Sequence, residues 1–194
     1  AYIRRLVRLN SEESMLVDPV TLKNLDILNA DSADAGGNLI RILDRTETPM
    51  GGRLIRKWLS RPLNQLQPIR ERHEAVDELV HQPSLRQVLT TKLKSIGDLE
   101  RLMARICANR AHPREVAALA SSLNILPDMT KLFADVKSPK LQHLRDAMPD
   151  LQSLVNLIRE TIADEPSIQL SDGNVIRQGF NAELDRLRAI AYDG

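Results

Sequence analysis

Cysteine, glycine and aromatic residues are all scarce in this sequence. With one cysteine, Cys107, in 194 residues, the chain can form neither an internal disulfide nor a cysteine-based zinc site. Only 3% of the residues are aromatic and only 8 are glycine, whereas Leu, Ile, Arg and Ala are frequent, a composition that favours helices. No apolar run approaches the roughly 20 residues that span a bilayer, and the start shows no signal-peptide pattern. We therefore expect a helical, cytoplasmic protein.

Neither sign of charge is in clear surplus. The 27 basic and 26 acidic residues leave a net charge of +1, so the sequence as a whole lacks the basic excess typical of nucleic-acid-binding proteins. A hydrophobic share of 42% with 27% charged residues indicates a folded globular chain. The length suggests one domain, or one with an appendage. Because the chain begins with Ala1 and ends at Gly194 directly after a helical pattern, we expect it to be part of a longer protein.

Helix starts are the clearest local signals in the first half of the chain. Asp18 and Thr48 each precede a proline, which is the pattern of a capping side chain followed by the first helical residue. They predict one helix running to about Leu28 and another over residues 49–60. Residues 1–10 are compatible with a strand or a helix. The further elements that we predict here are a strand over Ser14–Asp18, a polar loop ending at Gly36 and Gly37, a short helix over Leu39–Leu43, and a helix that opens at Pro68 and packs through Ile69, His73, Val76 and Val80.

Helical periodicity dominates the second half of the chain. Five residues after Asp98 recur at the spacing of one helix face, namely Leu99, Leu102, Met103, Ile106 and Cys107. Another helix opens at Pro113, and Pro127 either kinks or breaks it. The same period returns over Leu151–Ile162, and the segment Ala163–Gly179 interrupts it. The last pattern is a seam for a partner helix, formed by Phe180, Leu184, Leu187 and Ala191.

The residue types that carry catalysis or bind metals form no recognisable constellation. No histidine has a second histidine three or four residues away, and the four are His73, His81, His112 and His143. The pair Gly51 and Gly52 lacks the spacing of a phosphate loop. We therefore predict no catalytic, cofactor-binding or metal-binding residue. We interpret Cys107 as a small buried hydrophobe and Trp58 as a core residue.

A cluster of cations on the helix over residues 49–60 allows two interpretations. Arg53, Arg56, Lys57 and Arg61 fall on one side of it, and such a face binds DNA phosphates in many proteins. The alternative is a solvated face, or one that pairs with acidic neighbours such as Glu47. No aromatic residue is interleaved with the cations, and the overall charge is balanced, so we favour the solvated face.

Five segments resemble, in this order, the bacterial MutS family of DNA mismatch-repair proteins. They are Met15–Leu25 (MLVDPVTLKNL), Ile42–Leu63 (ILDRTETPMGGRLIRKWLSRPL), Gly97–Leu102 with Arg105, His112–Arg114, and Asp172–Phe180 followed by Glu183–Asp185 and Leu187–Arg188. Their order and spacing over nearly the whole chain make the resemblance specific.

The resemblance implies a fold and a place in a larger protein. The fold is all-α, an irregular multi-helix core bundle with one or two short strands near the N-terminus and a C-terminal lever helix. Residues 1–179 correspond to the first part of the helical core domain, domain III, and residues 180–194 to the start of the lever helix, which leads to a DNA clamp.

The resemblance also implies a function without catalysis in this segment. The parent protein would be an ATPase that recognises mismatched DNA, and this segment would transmit signals between its ATPase and clamp domains. ATP and Mg²⁺ would bind outside this chain. The implied partners are mismatched duplex DNA, MutL and a second copy of the parent, together with the clamp, connector and ATPase domains of the same chain, and no membrane.

Two other function classes remain open from the residues alone. One is a helical module that binds the DNA backbone directly through the face formed by Arg53, Arg56, Lys57 and Arg61. The other is a helical protein-interaction domain that has no part in repair.

Overall fold

The described part of the chain is almost entirely helical. In a computed structural model, residues 13–28, 38–168 and 170–192 are described, and they form eleven α-helices with a single 3-10 turn at Leu170–Asp172. The helices are α1 (Pro19–Asn24), α2 (Leu39–Leu43), α3 (Pro49–Ser60), α4 (Leu66–His81), α5 (Pro83–Lys94), α6 (Leu99–Cys107), α7 (Pro113–Leu123), α8 (Leu126–Leu132), α9 (Pro139–Asp146), α10 (Gln152–Thr161) and α11 (Ala182–Tyr192). The predicted all-α class is confirmed. Residues 1–10 and the loop ending at Gly36 and Gly37 lie outside the described residues.

The predicted strand over Ser14–Asp18 is wrong. Ser14 forms only an isolated antiparallel bridge with Leu63, in which the Met15 N–H donates to the Pro62 carbonyl at 2.7 Å. The pairing stops there because α1 begins at Pro19 and α4 begins at Leu66, so neither side has the length for a ladder. A second isolated bridge joins Ile162 and Ile176.

Local capping explains where several helices begin. The Asp18 carboxylate accepts the N–H groups of Val20 and Thr21 at 2.9 and 3.0 Å, and Thr48 Oγ1 accepts that of Gly51 at 3.0 Å. Asp98 caps α6 in the same way, from the Arg101 N–H at 3.2 Å. These side chains satisfy donors that have no partner within the helix, as the sequence predicted.

Two boundaries differ from the predicted ones. Helix α1 ends at Asn24 rather than near Leu28, because the chain turns through Asp26 at a φ of 48°. Helix α4 begins at Leu66, two residues before Pro68, since a proline in the first turn removes no helical hydrogen bond. Of the two outcomes left open at Pro127, the structure shows the break: α7 ends at Leu123, and the proline lies in the first turn of α8. Two helices were not predicted, α5 and α9.

The described backbone forms two compact units. The first comprises the described residues within Ala1–Arg86 together with Val136–Gln142, and the second those within Gln87–Asp135 and His143–Gly194. The division predicted between residues 179 and 180 is a different kind of boundary and stays a prediction. Among the described helices, none combines the length and apolar character that a membrane span requires.

In the first unit, a carboxylate from α4 holds the start of α9. Glu78 accepts the backbone N–H groups of Lys137 and Ser138, each at 2.7 Å, directly before α9 begins at Pro139. Partial burial raises the pKa of Glu78, but the hydrogen bonds from Ser138 and Lys137 outweigh that effect and leave the pKa below its usual value. The carboxylate therefore lies at the positive end of the α9 dipole.

Three of the four residues in the predicted packing stripe of α4 are exposed, and the fourth, Ile69, is half-buried. Val76 and Val80 are 60% and 55% exposed and His73 is also exposed, whereas Ala75 is buried. The helix is thus rotated so that Ala75 and its neighbours pack inward. The periodicity correctly predicted a helix here, but it did not identify the buried face.

The core of the second unit lies between α7 and α10. Ala120 and Val155 are each 1% exposed and Ile158 is 9% exposed. Three partly buried residues pack around them, namely Val116, Leu123 and Ile162. Removing an aliphatic side chain such as that of Val155 from water contributes about 1.5–3 kcal/mol, so this contact is the main apolar support that α10 receives.

Candidate functional site

The basic face predicted on α3 is present and exposed. Arg53, Arg56, Lys57 and Arg61 are all exposed, and the helix sequence PMGGRLIRKWLS contains no acidic residue. Among the ion pairs in the described residues, none involves Lys57 or Arg61. This face can therefore attract anions.

The start of α3 carries a compensating carboxylate. Asp44 accepts the Thr46 hydroxyl at 2.6 Å and the Thr46 N–H at 3.1 Å. These hydrogen bonds, and then the charge of Arg56, hold the pKa of Asp44 below its ordinary value. Asp44 therefore stays ionised and offsets part of the positive potential at this end of the basic face.

Close packing accounts for Gly51. A Cβ atom at Gly51 would lie 3.1 Å from both Thr46 Cβ and Thr48 Oγ1, whereas one at Gly52 would come no closer than 3.5 Å to Thr46 Oγ1. The first glycine is thus needed for the tight loop that enters α3. The prediction that the glycine pair is not a phosphate loop stays a prediction.

Trp58 is not the core residue that we predicted. Its side chain is 40% exposed, and the guanidinium carbon of Arg72 lies 3.8 Å from the ring centroid. Leu54 on the same helix is 45% exposed. The ring joins α3 to α4 through a cation–π contact at the surface.

Cys107 is also placed differently from the prediction. It is exposed, because it is the last residue of α6 and the chain turns away through Asn109 at a φ of 53°. The histidines His73, His81, His112 and His143 are exposed as well. Within the described residues, no group of three or more His, Cys, Asp or Glu side chains could hold a metal ion.

Buried and half-buried polar contacts join the helices of the second unit. Arg105 near the end of α6 pairs with Glu115 at the start of α7 at 2.7 Å, and its Nη2 donates to the Arg110 carbonyl at 2.8 Å. The His112 N–H and then Arg105 hold the pKa of Glu115 below its usual value. Ser122, 4% exposed, accepts the Gly97 N–H at 3.1 Å. Arg105, which belongs to one of the segments that resemble the MutS family, thus helps to fix the turn between α6 and α7.

The segment after α10 is fastened to the end of that helix. Around the bridge between Ile162 and Ile176, the Ala163 N–H donates to the Val175 carbonyl at 2.9 Å, and the Arg177 N–H to the Thr161 carbonyl at 2.8 Å. Arg177 also donates through Nε to the Arg159 carbonyl at 2.7 Å. Its guanidinium pairs with Asp164, which lowers the pKa of that carboxyl.

The start of α11 is fastened to the same segment. Asp185 Oδ2 accepts the Gly179 N–H at 2.7 Å, and Arg188 Nη2 donates to the Ile176 carbonyl at 3.0 Å. Arg188 and Asp185 also pair with each other at 3.3 Å. We call Ile176, Gly179, Asp185 and Arg188 the α11 anchor.

Sequence reasoning did not single out the α11 anchor as a site. Its residues entered only as part of a family resemblance, because a contact between a side chain and a backbone carbonyl twelve residues away has no periodic signal. The break at Gly173 and Gly179, which have φ values of 69° and 88°, is the local sign that a fixed turn precedes α11.

The predicted seam of α11 starts differently, and apolar residues in the second half of α11 are exposed. The helix begins at Ala182, where the Asn181 side chain accepts the Leu184 N–H at 3.0 Å, so Phe180 lies outside it. Leu187 and Ile190 are 52% and 62% exposed. The apolar side of α11 therefore has little cover within the described residues.

Comparison with known proteins places nearly the whole chain within one family. A family model described as MutS domain III matches residues 20–192. The chain is 43% identical over 192 residues to the DNA mismatch repair protein MutS of Chlorobium chlorochromatii, in an alignment that covers 98% of this chain and 22% of that protein. It is 44% identical over 182 residues to the protein of the same name from Symbiobacterium thermophilum, covering 93% of this chain and 21% of that protein.

A third relative is aligned over the full chain. The DNA mismatch repair protein MutS of Salinibacter ruber is 38% identical over 194 residues, which are 21% of its length. The chain thus spans about a fifth of the length of the curated relatives that it matches.

Proposed function

The chain belongs to the MutS domain III family, and from this premise we propose that it is the core-and-lever segment of a bacterial mismatch-repair ATPase. Its role is to transmit changes between an ATP-binding domain and a DNA-binding clamp, both outside residues 1–194. It contributes no catalytic group. The proposed partners of the parent protein are mismatched duplex DNA, MutL and a second copy of itself, in the bacterial cytoplasm.

One observation supports the transmitting role above all others. Helix α11 is held at its start by the α11 anchor, while Leu187 and Ile190 along it remain exposed. A helix that is fixed at one end and carries an uncovered apolar side is suited to carry a displacement toward a partner element. Coupling between two sites requires an element that both of them bias, and α11 is the candidate element.

Three contacts continue this path within the second unit. The anchor meets the bridge at Ile162 and Ile176, where α10 ends, and α10 packs on α7 through Val155 and Ala120. Arg114 at the start of α7 reaches back to the Pro166 carbonyl at 2.7 Å. These contacts make α7, α10 and the start of α11 a continuous packed path.

The test is a helix break in the parent protein. Ala189→Pro interrupts α11 in its interior, whereas Ala182→Pro places a proline at the first helical position, where it is tolerated. We expect the Ala189→Pro parent to bind mismatched DNA and to hydrolyse ATP, but to show no effect of ATP on DNA binding. The Ala182→Pro parent should respond as the unmodified protein does. A normal ATP response in the Ala189→Pro protein would contradict the proposal.

The isolated chain offers a simpler check. It should neither hydrolyse ATP nor prefer a mismatched duplex over a matched one, because the proposed ATP, Mg²⁺ and mismatch sites belong to other domains. ATP turnover that copurifies with the folded 194-residue chain through two chromatographic steps would contradict this assignment.

A second candidate function is direct contact with the DNA backbone through α3. The exposure of Arg53, Arg56, Lys57 and Arg61 favours it, and Asp44 near Arg56 weakens it. Titration of a labelled duplex at two salt concentrations separates the cases, since phosphate contacts lose affinity steeply with salt. Binding that is steeply salt-dependent and disappears in Arg53→Glu, Lys57→Glu would support this function.

A further inference from the structure

Packing alone does not determine the direction in which α11 extends within the second unit. Leu187 and Ile190 are exposed, and Leu184 is half-buried. Apolar burial is the usual force that orients a helix. In α11, polar contacts near its start must supply that orientation.

The polar contacts of Asp185 and Arg188 join two turns of α11 to the segment of residues 176–179, and the two side chains also contact each other. Asp185 reaches the Gly179 N–H at 2.7 Å, and Arg188, one helical turn later, reaches the Ile176 carbonyl at 3.0 Å. Asp185 and Arg188 have side chains 24% and 29% exposed and are bonded to each other. Two attachment points one turn apart constrain both the tilt and the rotation of a helix, which a single cap cannot do.

We propose that Arg188 and Asp185 are positioning residues that set the angle between α11 and α10. This inference rests on the proposed function, in which that angle is the transmitted quantity. Arg188 is the more specific of the two, because a guanidinium can bond a carbonyl and a carboxylate at once, whereas a lysine ammonium lacks that planar geometry.

The chain contains a matched control on the same helix. Arg186 pairs with Glu183 at 2.9 Å, with both side chains more than 60% exposed. Its pairing stays within α11 and touches no other element in the contacts of the described residues. Loss of Arg186 therefore removes a charge and a pair from α11 without releasing the helix.

The angle can be measured by pulsed spin-label distances in the whole 194-residue chain. Labels at Ser153→Cys in α10 and Ala191→Cys in α11, in a Cys107→Ser background, lie on exposed positions of the same unit. The second label is nine residues from the start of α11. At about 1.5 Å per residue, a pivot of roughly 20° at that start displaces it by about 5 Å.

We expect a narrow distance distribution in the unmodified chain and in Arg186→Ala. In Arg188→Ala and in Asp185→Asn the distribution should broaden or shift by several ångströms, and in Arg188→Lys by less. In Arg188→Ala and Asp185→Asn the Gly179 amide should exchange with solvent on the order of tenfold faster. Asp185→Asn removes the charge of the group that accepts the Gly179 N–H, and Arg188→Ala releases the segment that carries this N–H. A role in stability alone would lower the melting temperature and leave the distances in the folded chain unchanged.

Equal, narrow distributions in Arg188→Ala and Arg186→Ala would overturn the inference, whatever the ATP response of the parent protein. A broadened distribution in Arg188→Ala, together with a normal ATP response in the Ala189→Pro parent, would instead contradict the proposed function and leave the positioning role standing. If Arg188→Ala does not fold, the Asp185→Asn variant, which keeps the shape of the side chain, decides between these outcomes.

Discussion

The contact between Glu78 and the start of α9 gives a stability prediction with a definite pH dependence. Glu78 accepts two backbone N–H groups, from Lys137 and Ser138, each at 2.7 Å. Glu78→Gln keeps the size of the side chain but removes its charge. A carboxylate that caps a helix start contributes about 1–2 kcal/mol, and a chain of this size loses about 2–4 °C in melting temperature per kcal/mol. We therefore expect Glu78→Gln to melt about 2–8 °C lower at neutral pH.

The pH dependence follows from the direction of the pKa change. The folded-state pKa of Glu78 lies below the ordinary value of 4.5, so the ionised carboxylate stabilises the folded chain above that pH. The stabilisation is lost as the pH falls through the folded-state pKa. The difference between the unmodified chain and Glu78→Gln should consequently shrink toward pH 3.

The assay is thermal unfolding followed by circular dichroism between pH 7 and pH 3. Glu74→Gln is the matched control, since Glu74 is exposed on the same helix one turn earlier. A Glu78→Gln chain that melts together with Glu74→Gln at pH 7 would refute the reasoning. A deficit that is the same at pH 7 and pH 3 would refute the electrostatic part of it.

Three further predictions concern positions where packing or exposure is unusual. Gly52→Ala should stabilise the chain by about 0.5–1 kcal/mol through helix propensity. In urea unfolding, Gly51→Ala should be less stable than Gly52→Ala, because its Cβ would lie 3.1 Å from two threonine side chains. The reverse order of stability would contradict the described loop. Acrylamide should quench the single tryptophan, Trp58, in the folded chain, and Arg72→Gln should increase that quenching and cost about 0.5–1 kcal/mol; emission typical of a fully buried indole would contradict the exposed site. The Cys107 thiol should react with Ellman's reagent in the native chain, and a thiol that reacts only after unfolding would show that it is buried.

The parts of the fold that could be predicted from the sequence depend on neighbouring residues. Asp18, Thr48 and Asp98 cap helices by accepting N–H groups two or three residues away. A polar residue directly before a helical pattern was therefore sufficient to predict these helix starts. The helices α6 and α10 were predicted because their apolar residues recur at one face over at least two turns.

The features that could not be predicted depend on which distant element packs against a given helix face. The stripe with Val76 and Val80 has helical spacing, yet the inward side of α4 is fixed by its tertiary neighbours. Trp58 was assigned to the core because it lies on the helix face opposite the cations, but its ring is covered by the guanidinium of Arg72 at the surface. The helices α5 and α9, which have weaker apolar periodicity than α6 and α10, were not predicted.

The tertiary contacts, including those of the candidate site, were the least predictable feature, because they join residues far apart in sequence. Glu78 meets Ser138 across 60 positions, and Arg188 meets a backbone carbonyl twelve positions away. Neither contact has a characteristic spacing or residue motif. The family resemblance drew attention to the segment with Ile176, Gly179 and Arg188, and the described contacts give those residues a physical role.

In the proposed function, α11 couples ATP binding to DNA binding in the parent protein, and the reciprocal measurement tests this coupling most directly. Because coupling between two ligands is symmetric in free energy, mismatched DNA must change the affinity for a non-hydrolysable ATP analogue by the same factor by which the analogue changes the affinity for DNA. We predict that this factor falls to about one in the Ala189→Pro parent and is retained in Ala182→Pro. An unchanged factor in the Ala189→Pro protein would contradict the account.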